Sequence, residues 1–191
     1  MDYFKEINNK IFDRSVEEAK IVKFKNIFKN IFPEFKDKNL PMKLIYDASI
    51  DGENSSDCHK KCNYIPNTIS FVTTTNGYNF CLYRSIALEG VYNGPWKSDN
   101  KAFFYSFDKN KTYKIKQNAE AIGFVRDFFI QVLNVLYMSN NILSSTFNSK
   151  EKNDMNVYFE GFSEDYELTC GEKEFNVKVF KVYQLELELE E

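Results

Sequence analysis

Residues 68–80 read TISFVTTTNGYNF and contain the clearest structural signal in the chain. β-branched and aromatic residues alternate with others in 68–74, and this period of two is typical of a β-strand. Asn76-Gly77 follows as the strongest hairpin signal in the chain, because both residues tolerate positive φ and suit a two-residue type I′ turn. The sequence therefore predicts an antiparallel hairpin, with residues 78–88 as the return strand.

Further strands are predicted on both sides of this hairpin. The final stretch, 175–189, alternates apolar residues with glutamates, including Glu186, Glu188 and Glu190, and this predicts a half-buried strand with an acidic outer face. Turn signals lie at Asp51-Gly52 and at Gly171. The other predicted strands are residues 43–46, 101–107, 112–116, 157–159 and 166–169.

Residues 1–36 have the pattern of helices. Ser15 and Glu18 fit a capping box, which predicts a helix beginning at Ser15. Pro33 ends the pattern, so we expect a helical segment over 1–38 and a separate domain over 40–191. The apolar side of this segment either packs on that domain or binds a partner helix, and it makes Phe24 and Phe28 candidate partner-binding residues. Its members are Phe24, Ile27, Phe28, Ile31 and Phe32.

Residues 121–138 are ambiguous. Val125, Phe128, Phe129 and Leu136 lie at helical spacing, yet valine, isoleucine and phenylalanine are equally common in paired strands. Periodicity alone therefore leaves a helix and a pair of strands open.

The composition indicates a globular protein. Hydrophobic residues make up 43% of the 191 residues and aromatic residues 17%, which suffices for a core. The net charge of −3 argues against a nucleic-acid binder. Residues 1–20 contain acidic residues and no apolar stretch of a secretory leader, and charged residues interrupt the longest apolar run. We expect no membrane span, a cytoplasmic location and reduced thiols.

The most reactive cluster in the sequence is Cys58-His59-Lys60-Lys61-Cys62, on a short helix that Ser55 and Ser56 would cap. Cys58 and Cys62 share a helical face, but adjacent Cys58 and His59 do not converge, so three zinc ligands are not expected. We interpret the cysteines as buried thiols and His59, the single histidine, as a surface or capping residue. The alternative is a thiol-based redox enzyme or hydrolase that uses these three side chains.

Two other positions carry competing interpretations. Asp47 and Asp51 flank a turn, and local hydrogen bonding to the backbone is the expected role of such carboxylates. Trp96 lies in a predicted loop, where it either packs on the domain or anchors a protein partner.

Several short motifs, taken in order, resemble the TLDc domain family of oxidation-resistance proteins. Residues 44–52 read LIYDASIDG and resemble the family's opening L-x-Y-x-x-S-x-D-G, and the hairpin sequence NGYNF is similar to D-G-x-x-F. Residues 57–62, 102–107, 134–141 and 168–185 resemble further motifs of the family. The motif positions in this chain are Tyr46, Asp51, Gly52, Gly77, Phe80, Phe104, Tyr137, Gly171 and Phe175.

The resemblance implies an α+β, β-rich fold: two antiparallel sheets packed as a sandwich, with flanking helices and an N-terminal helical segment. It also implies two strands within 121–138. Where the family has glycines, this chain has Cys81-Leu82 and residues 127–131, so it resembles a divergent member. Members of the family protect cells from oxidative damage, and several bind the vacuolar proton-pumping ATPase. The resemblance thus implies a protein-binding module, located in the cytoplasm or peripherally at an organelle surface. Because no catalytic or cofactor-binding motif appears in the sequence, we expect a non-enzymatic protein without a cofactor or metal. An oligomer formed through the N-terminal helices is the further alternative.

Overall fold

The computed structural model describes residues 2–89, 95–123, 127–133 and 135–187, with side chains described from residue 13 onward. Contacts along the chain divide it into two compact units. Among the described residues, one unit contains residues 2–42 together with Leu187, and the other contains residues from Lys43 to Glu186.

The N-terminal unit is built on one long helix, α1 (Asp2–Ile31), followed by a 3-10 helix at Pro33–Phe35. The predicted end of the helical pattern at Pro33 is confirmed, because proline has no N–H to continue the helix. Phe28 is buried, and its ring lies 4.7 Å from the ring of Phe32 and 5.5 Å from that of Phe35. The ring of Phe24, also buried, lies 6.0 Å from Phe28.

The predicted helix start at Ser15 is wrong. The helix already runs through residues 2–14, so the backbone around Ser15 belongs to a helix interior and needs no N-terminal cap. The carboxylate of Glu18 instead accepts a hydrogen bond from Nε of Arg14, 3.1 Å away and one turn earlier.

Eleven strands and three shorter helices of the second unit lie in the described residues. The strands are β1 (Met42–Asp47), β2 (Thr68–Thr74), β3 (Asn79–Arg84), β4 (Lys97–Ser98), β5 (Phe103–Ser106), β6 (Lys111–Lys114), β7 (Glu120–Ile122), β8 (Phe128–Val132), β9 (Leu136–Ser139), β10 (Thr146–Asn148) and β11 (Glu174–Leu185). The helices are α2 (Ala48–Asp51), α3 (Ser55–Cys62) and α4 (Lys152–Tyr158), with a 3-10 helix at Glu167–Thr169.

These strands form two antiparallel sheets, and the predicted α+β sandwich is confirmed. The first sheet has the order β1-β11-β2-β3-β5-β6, with β10 also paired to β11, and the second has the order β4-β7-β8-β9. Phe129 of the second sheet packs between the sheets, with its ring 5.1 Å from Phe180 and 5.9 Å from Tyr46 of the first. Most of the hydrophobic core lies between the two sheets, because each buries one apolar face against the other.

The predicted hairpin joins β2 to β3, but its turn is not type I′. The amide of Gly77 donates to the carbonyl of Thr74 at 3.0 Å, so Thr75 and Asn76 occupy the centre of the turn. Gly77 follows with a φ of 91°, the left-handed position of a three-residue hairpin loop. The return strand is also shorter than predicted, because the carboxylate of Asp99 accepts the N–H of Ser85 at 2.7 Å, directly after β3.

Residues 121–138 contain strands and no long helix in the part that the structure describes. They supply most of β7 with all of β8, and β9 begins at Leu136 and runs to Ser139. Val125 lies outside the described residues. The strand interpretation that came from the resemblance is therefore confirmed here. The helical spacing misled because a β-bulge between Phe128 and Ile130 interrupts the period of two in β8.

Two predicted strands are helical instead. Val157 and Tyr158 end α4, and only Phe159 is extended, forming an isolated antiparallel bridge with Ile115. Residues 166–169 form the 3-10 helix, and Tyr166 on one side of it and Cys170 on the other have φ values of 55° and 53°. Left-handed residues at both ends are incompatible with an extended strand.

The last strand, β11, is confirmed but ends at Leu185, before most of the glutamates. Glu186 follows the strand and is exposed, while Glu188 and Glu190 lie outside the described residues. Of the glutamates of the predicted acidic outer face, only Glu186 can be placed, and it lies directly after the strand. The turn at Gly171 is confirmed by its φ of 98°.

Candidate functional site

Three partly exposed aromatic side chains form a row on the second sheet. The ring of Tyr137 lies edge-on to the ring of Trp96 at 6.5 Å and edge-on to the ring of Phe128 at 5.9 Å. We call Trp96, Tyr137 and Phe128 the aromatic row. Edge-to-face contacts at these distances are the arrangement that aromatic quadrupoles favour.

Strand alternation explains why the row is accessible. In β9, Leu136 and Met138 are buried in the core, so Tyr137 between them lies on the opposite face of the sheet. Tyr137 is paired with Gln131 of β8, and directly opposed residues share a face. The side chain of Gln131 reaches over Gly123, since a Cβ atom at Gly123 would lie 2.2 Å from its Oε1. The outer face of the second sheet therefore combines aromatic rings with one amide.

Helix α3 supports this face through His59. Its Nε2 atom lies 3.1 Å from the carbonyl oxygen of Phe128, and its Nδ1 atom lies 2.7 Å from Oδ1 of Asn63. A carbonyl only accepts, so Nε2 is the donor in the first contact. The predicted surface or capping role of His59 is wrong, because the side chain is only 5% exposed. Both ring nitrogens are occupied, and this arrangement favours a structural role in which His59 ties α3 to β8.

The segment before α3 is ordered by its carboxylates. Asp47 Oδ1 accepts the N–H of Ser49 at 3.0 Å at the start of α2, and Asp51 Oδ2 accepts the N–H of Asp47 at 2.9 Å. Each carboxylate also forms a salt bridge with a lysine. Nζ of Lys61 lies 2.6 Å from Asp51, and Nζ of Lys181 lies 3.2 Å from Asp47. The predicted local role of the two aspartates in the turn agrees with this geometry.

The predicted capping of α3 by Ser55 and Ser56 is wrong. The N-cap position is Asn54, and Ser55 is the first helical residue. The hydroxyl of Ser55 donates instead to Oδ1 of Asn140, 2.7 Å away, and the backbone N–H of Ser55 donates to the same atom at 2.8 Å. Asn140 therefore caps α3 from a residue that is 85 positions away in sequence, which no local pattern could indicate.

The two cysteines of α3 lie together in the core. The thiol of Cys58 donates to Sγ of Cys62 at 3.6 Å, and both side chains are buried. This hydrogen bond, with burial, raises the pKa of Cys58 well above its ordinary value. Nearby, burial lowers the pKa of the Arg84 guanidinium, while the electrostatic influence of Cys58, Cys62 and Asp99 acts in the opposite direction.

Ligand sets for common metal ions require more groups than this cluster supplies. Within residues 2–89, 95–123, 127–133 and 135–187, no three side chains of His, Cys, Asp or Glu gather at a distance suited to a metal ion. A structural zinc site takes four ligands. The cluster of Cys58, His59 and Cys62 therefore does not form a zinc site in this geometry.

Most of the motif positions build the scaffold. Tyr46 is buried and its hydroxyl donates to the carbonyl of Gly52. The ring of Phe80 lies 6.1 Å from that of Phe175, and the ring of Phe104 lies 5.1 Å from that of Phe159. Gly77 and Gly171 occupy turns with positive φ. Tyr137 differs from these, since it belongs to the aromatic row.

The structure joins Trp96 to two residues that the sequence did not connect with it. Tyr137 was expected only as a motif position, and Phe128 was expected only as part of an ambiguous apolar segment. Phe24 and Phe28, the other candidate partner-binding residues, lie in the N-terminal unit and are both buried, whereas Val22 of the same helix is 58% exposed.

None of the described helices is long and apolar enough to cross a membrane.

Comparison with known proteins gives no further assignment. No protein-family model matches the chain, and no curated protein matches it either.

Proposed function

We propose that this chain is a non-enzymatic protein-binding module of the TLDc type, and that the aromatic row is its partner-binding surface. The single observation that carries the proposal is the partly exposed row of Trp96, Tyr137 and Phe128 on the outer face of the second sheet. Tryptophan and tyrosine are enriched among the residues that dominate binding energies at interfaces.

Rigidity supports this role for the row. Tyr137 is held in the ladder between β8 and β9, and the backbone of Phe128 accepts a hydrogen bond from buried His59. Side chains that are fixed before binding lose less conformational entropy when a partner arrives.

The identity of the partner is proposed from the resemblance. The motifs at 44–52 and 76–80 resemble the TLDc family, and the antiparallel sandwich is the architecture that this resemblance implies. The proposed partner is the vacuolar proton-pumping ATPase. The proposed cellular role is protection against oxidative damage, and the proposed location is the cytoplasm or the surface of an organelle.

Binding to the purified vacuolar proton-pumping ATPase tests the proposal. The chain is immobilised and binding is measured by biolayer interferometry for the wild type and for Trp96→Ala. We expect saturable binding by the wild type and a loss of roughly 30-fold for Trp96→Ala, the size typical of a tryptophan hot spot. Ile50→Ala is the matched control, because Ile50 is 79% exposed but lies on α2, which packs on β11 of the other sheet.

Two results would overturn the proposal in different ways. If the wild type does not bind at micromolar concentrations, the ATPase is not the partner. If the wild type binds and Trp96→Ala binds equally well, the aromatic row is not the contact surface.

A further inference from the structure

The first observation is a buried arginine, Arg84, for which no hydrogen bond to a carboxylate is found among the described residues. Arg84 is 2% exposed, and among the described residues its Nε atom has no hydrogen-bond partner. One terminal nitrogen reaches Oγ of Ser70 at 3.5 Å, the outer limit of a hydrogen bond. Thr68 lies directly opposite Arg84 in the β2–β3 ladder, and its buried Oγ1 is likewise without a partner in the described part of the chain.

A buried cation in this position requires a compensating negative charge nearby. Leaving a guanidinium in the interior unpaired is costly, and buried charges are normally paired or bound to an ion. Asp99 acts on Arg84 electrostatically. Its carboxylate accepts hydrogen bonds from Ser85, Ile86 and Lys101, and none of the described hydrogen bonds joins it to Arg84.

The second observation is the pair of thiols. Cys58 and Cys62 have their sulfur atoms 3.6 Å apart. The end of α3 lies beside the end of β3, because Asn63 pairs with Leu88 and the N–H of Asn67 donates to the carbonyl of Ser85, and the thiols act electrostatically on Arg84. His59 cannot join them as a ligand in this geometry, since its two ring nitrogens contact Asn63 and Phe128.

Helix geometry decides what can join the two sulfur atoms. Residues four apart on a helix have Cβ atoms about 5–6 Å apart, whereas a disulfide needs about 3.5–4.5 Å. Cys62 is still inside α3, so a disulfide would require the last turn to deform. A single ion placed between the sulfur atoms does not have this restriction, because it adds its own two bonds to the bridge.

We propose that Cys58 and Cys62 form a buried two-coordinate site for a soft monovalent cation, the cuprous ion, with Arg84 as its counter-charge. Thiolates are the ligands that select Cu(I), and two ligands are too few for zinc, which takes four. Binding forms two Cu–S bonds and breaks two S–H bonds, and both protons leave to solvent. The two thiolates and one Cu⁺ carry a net charge of −1, which the guanidinium of Arg84 neutralises. No oxidation or reduction takes place.

The test is an anaerobic titration of the full chain with Cu(I), in competition with the chromogenic chelator bicinchoninate. We expect one Cu(I) per chain and a thiolate–copper absorption band in the ultraviolet. Cys62→Ser should weaken binding by more than about 100-fold, and Arg84→Met by about 10- to 100-fold, the range for groups that support a metal site. Cys81→Ser and Cys170→Ser are the controls, because these cysteines are outside the pair.

Folding and access are measured in the same experiment. Circular dichroism and urea unfolding establish that each variant is folded, and Arg84→Lys, which keeps the charge, should bind more tightly than Arg84→Met. A second arm adds Cu(I) during refolding from urea, so that the buried thiols are reached. The proposal is overturned if the wild type takes up no copper in both arms, if Cys62→Ser binds like the wild type, or if Cys81→Ser and Cys170→Ser weaken binding as much as Cys62→Ser does.

Discussion

His59 gives the sharpest test of the structure, because replacing it separates a structural residue from a catalytic one. His59→Ala removes the hydrogen bond between α3 and the carbonyl of Phe128, the contact with Asn63, and most of a buried ring. A lost hydrogen bond costs about 1 kcal/mol, and the unsatisfied carbonyl with the space left by the ring adds about 1–3 kcal/mol. We expect the free energy of unfolding to fall by roughly 2–4 kcal/mol.

The assay is urea unfolding followed by circular dichroism, with thermal unfolding alongside. For a chain of this size, 1 kcal/mol corresponds to roughly 2–4 °C in the midpoint of thermal unfolding, so the expected decrease is roughly 5–15 °C. His59→Gln, which keeps a donor and an acceptor, should recover part of the loss. A decrease below about 0.5 kcal/mol, the size typical of a neutral surface substitution, would refute the structural role and favour the enzyme alternative.

Two further predictions concern the backbone and acid stability. Gly52→Ala should destabilise the chain by about 1–2 kcal/mol more than Gly77→Ala in the same unfolding assay. Both glycines have positive φ, so both substitutions strain the backbone. A Cβ atom at Gly52 would in addition lie 2.4 Å from Oδ2 of Asp57, whereas one at Gly77 would meet nothing within 4 Å. Burial acts to raise the pKa of Glu167, but hydrogen bonds from Lys111 and from backbone N–H groups outweigh it and hold that pKa below its ordinary value of 4.5. The stabilisation from Glu167 is therefore present above pH 4.5 and is lost as the pH falls through the lower folded-state pKa. Glu167→Gln should lower the free energy of unfolding at neutral pH and make it depend less on pH in the acid range. An unchanged acid profile would contradict this.

The sequence alone determined the features that depend on neighbouring residues. The period of two in residues 68–74 predicted β2, and Asn76-Gly77 placed the hairpin where the chain reverses. Pro33 marked the end of the helical segment because a missing N–H acts locally. These signals need no knowledge of what lies across the fold.

Predictions from local sequence patterns were wrong where residues outside the pattern determine the structure of the segment. Ser15 has the pattern of a helix start, but the residues before it are helical too, so the cap is not needed. Residues 166–169 look like a strand in composition, yet left-handed Tyr166 and Cys170 bound a 3-10 helix there. Propensity is a weak preference that tertiary context overrides.

Only the tertiary structure brought the candidate sites together. Trp96, Phe128 and Tyr137 come from separate segments, and His59 reaches the carbonyl of Phe128 across 69 positions of sequence. Arg84 lies on β3 of the first sheet, and the thiols of α3 act on it electrostatically. Contacts between distant segments produce no periodic pattern in either segment, because the partner of each side chain comes close only when the chain folds.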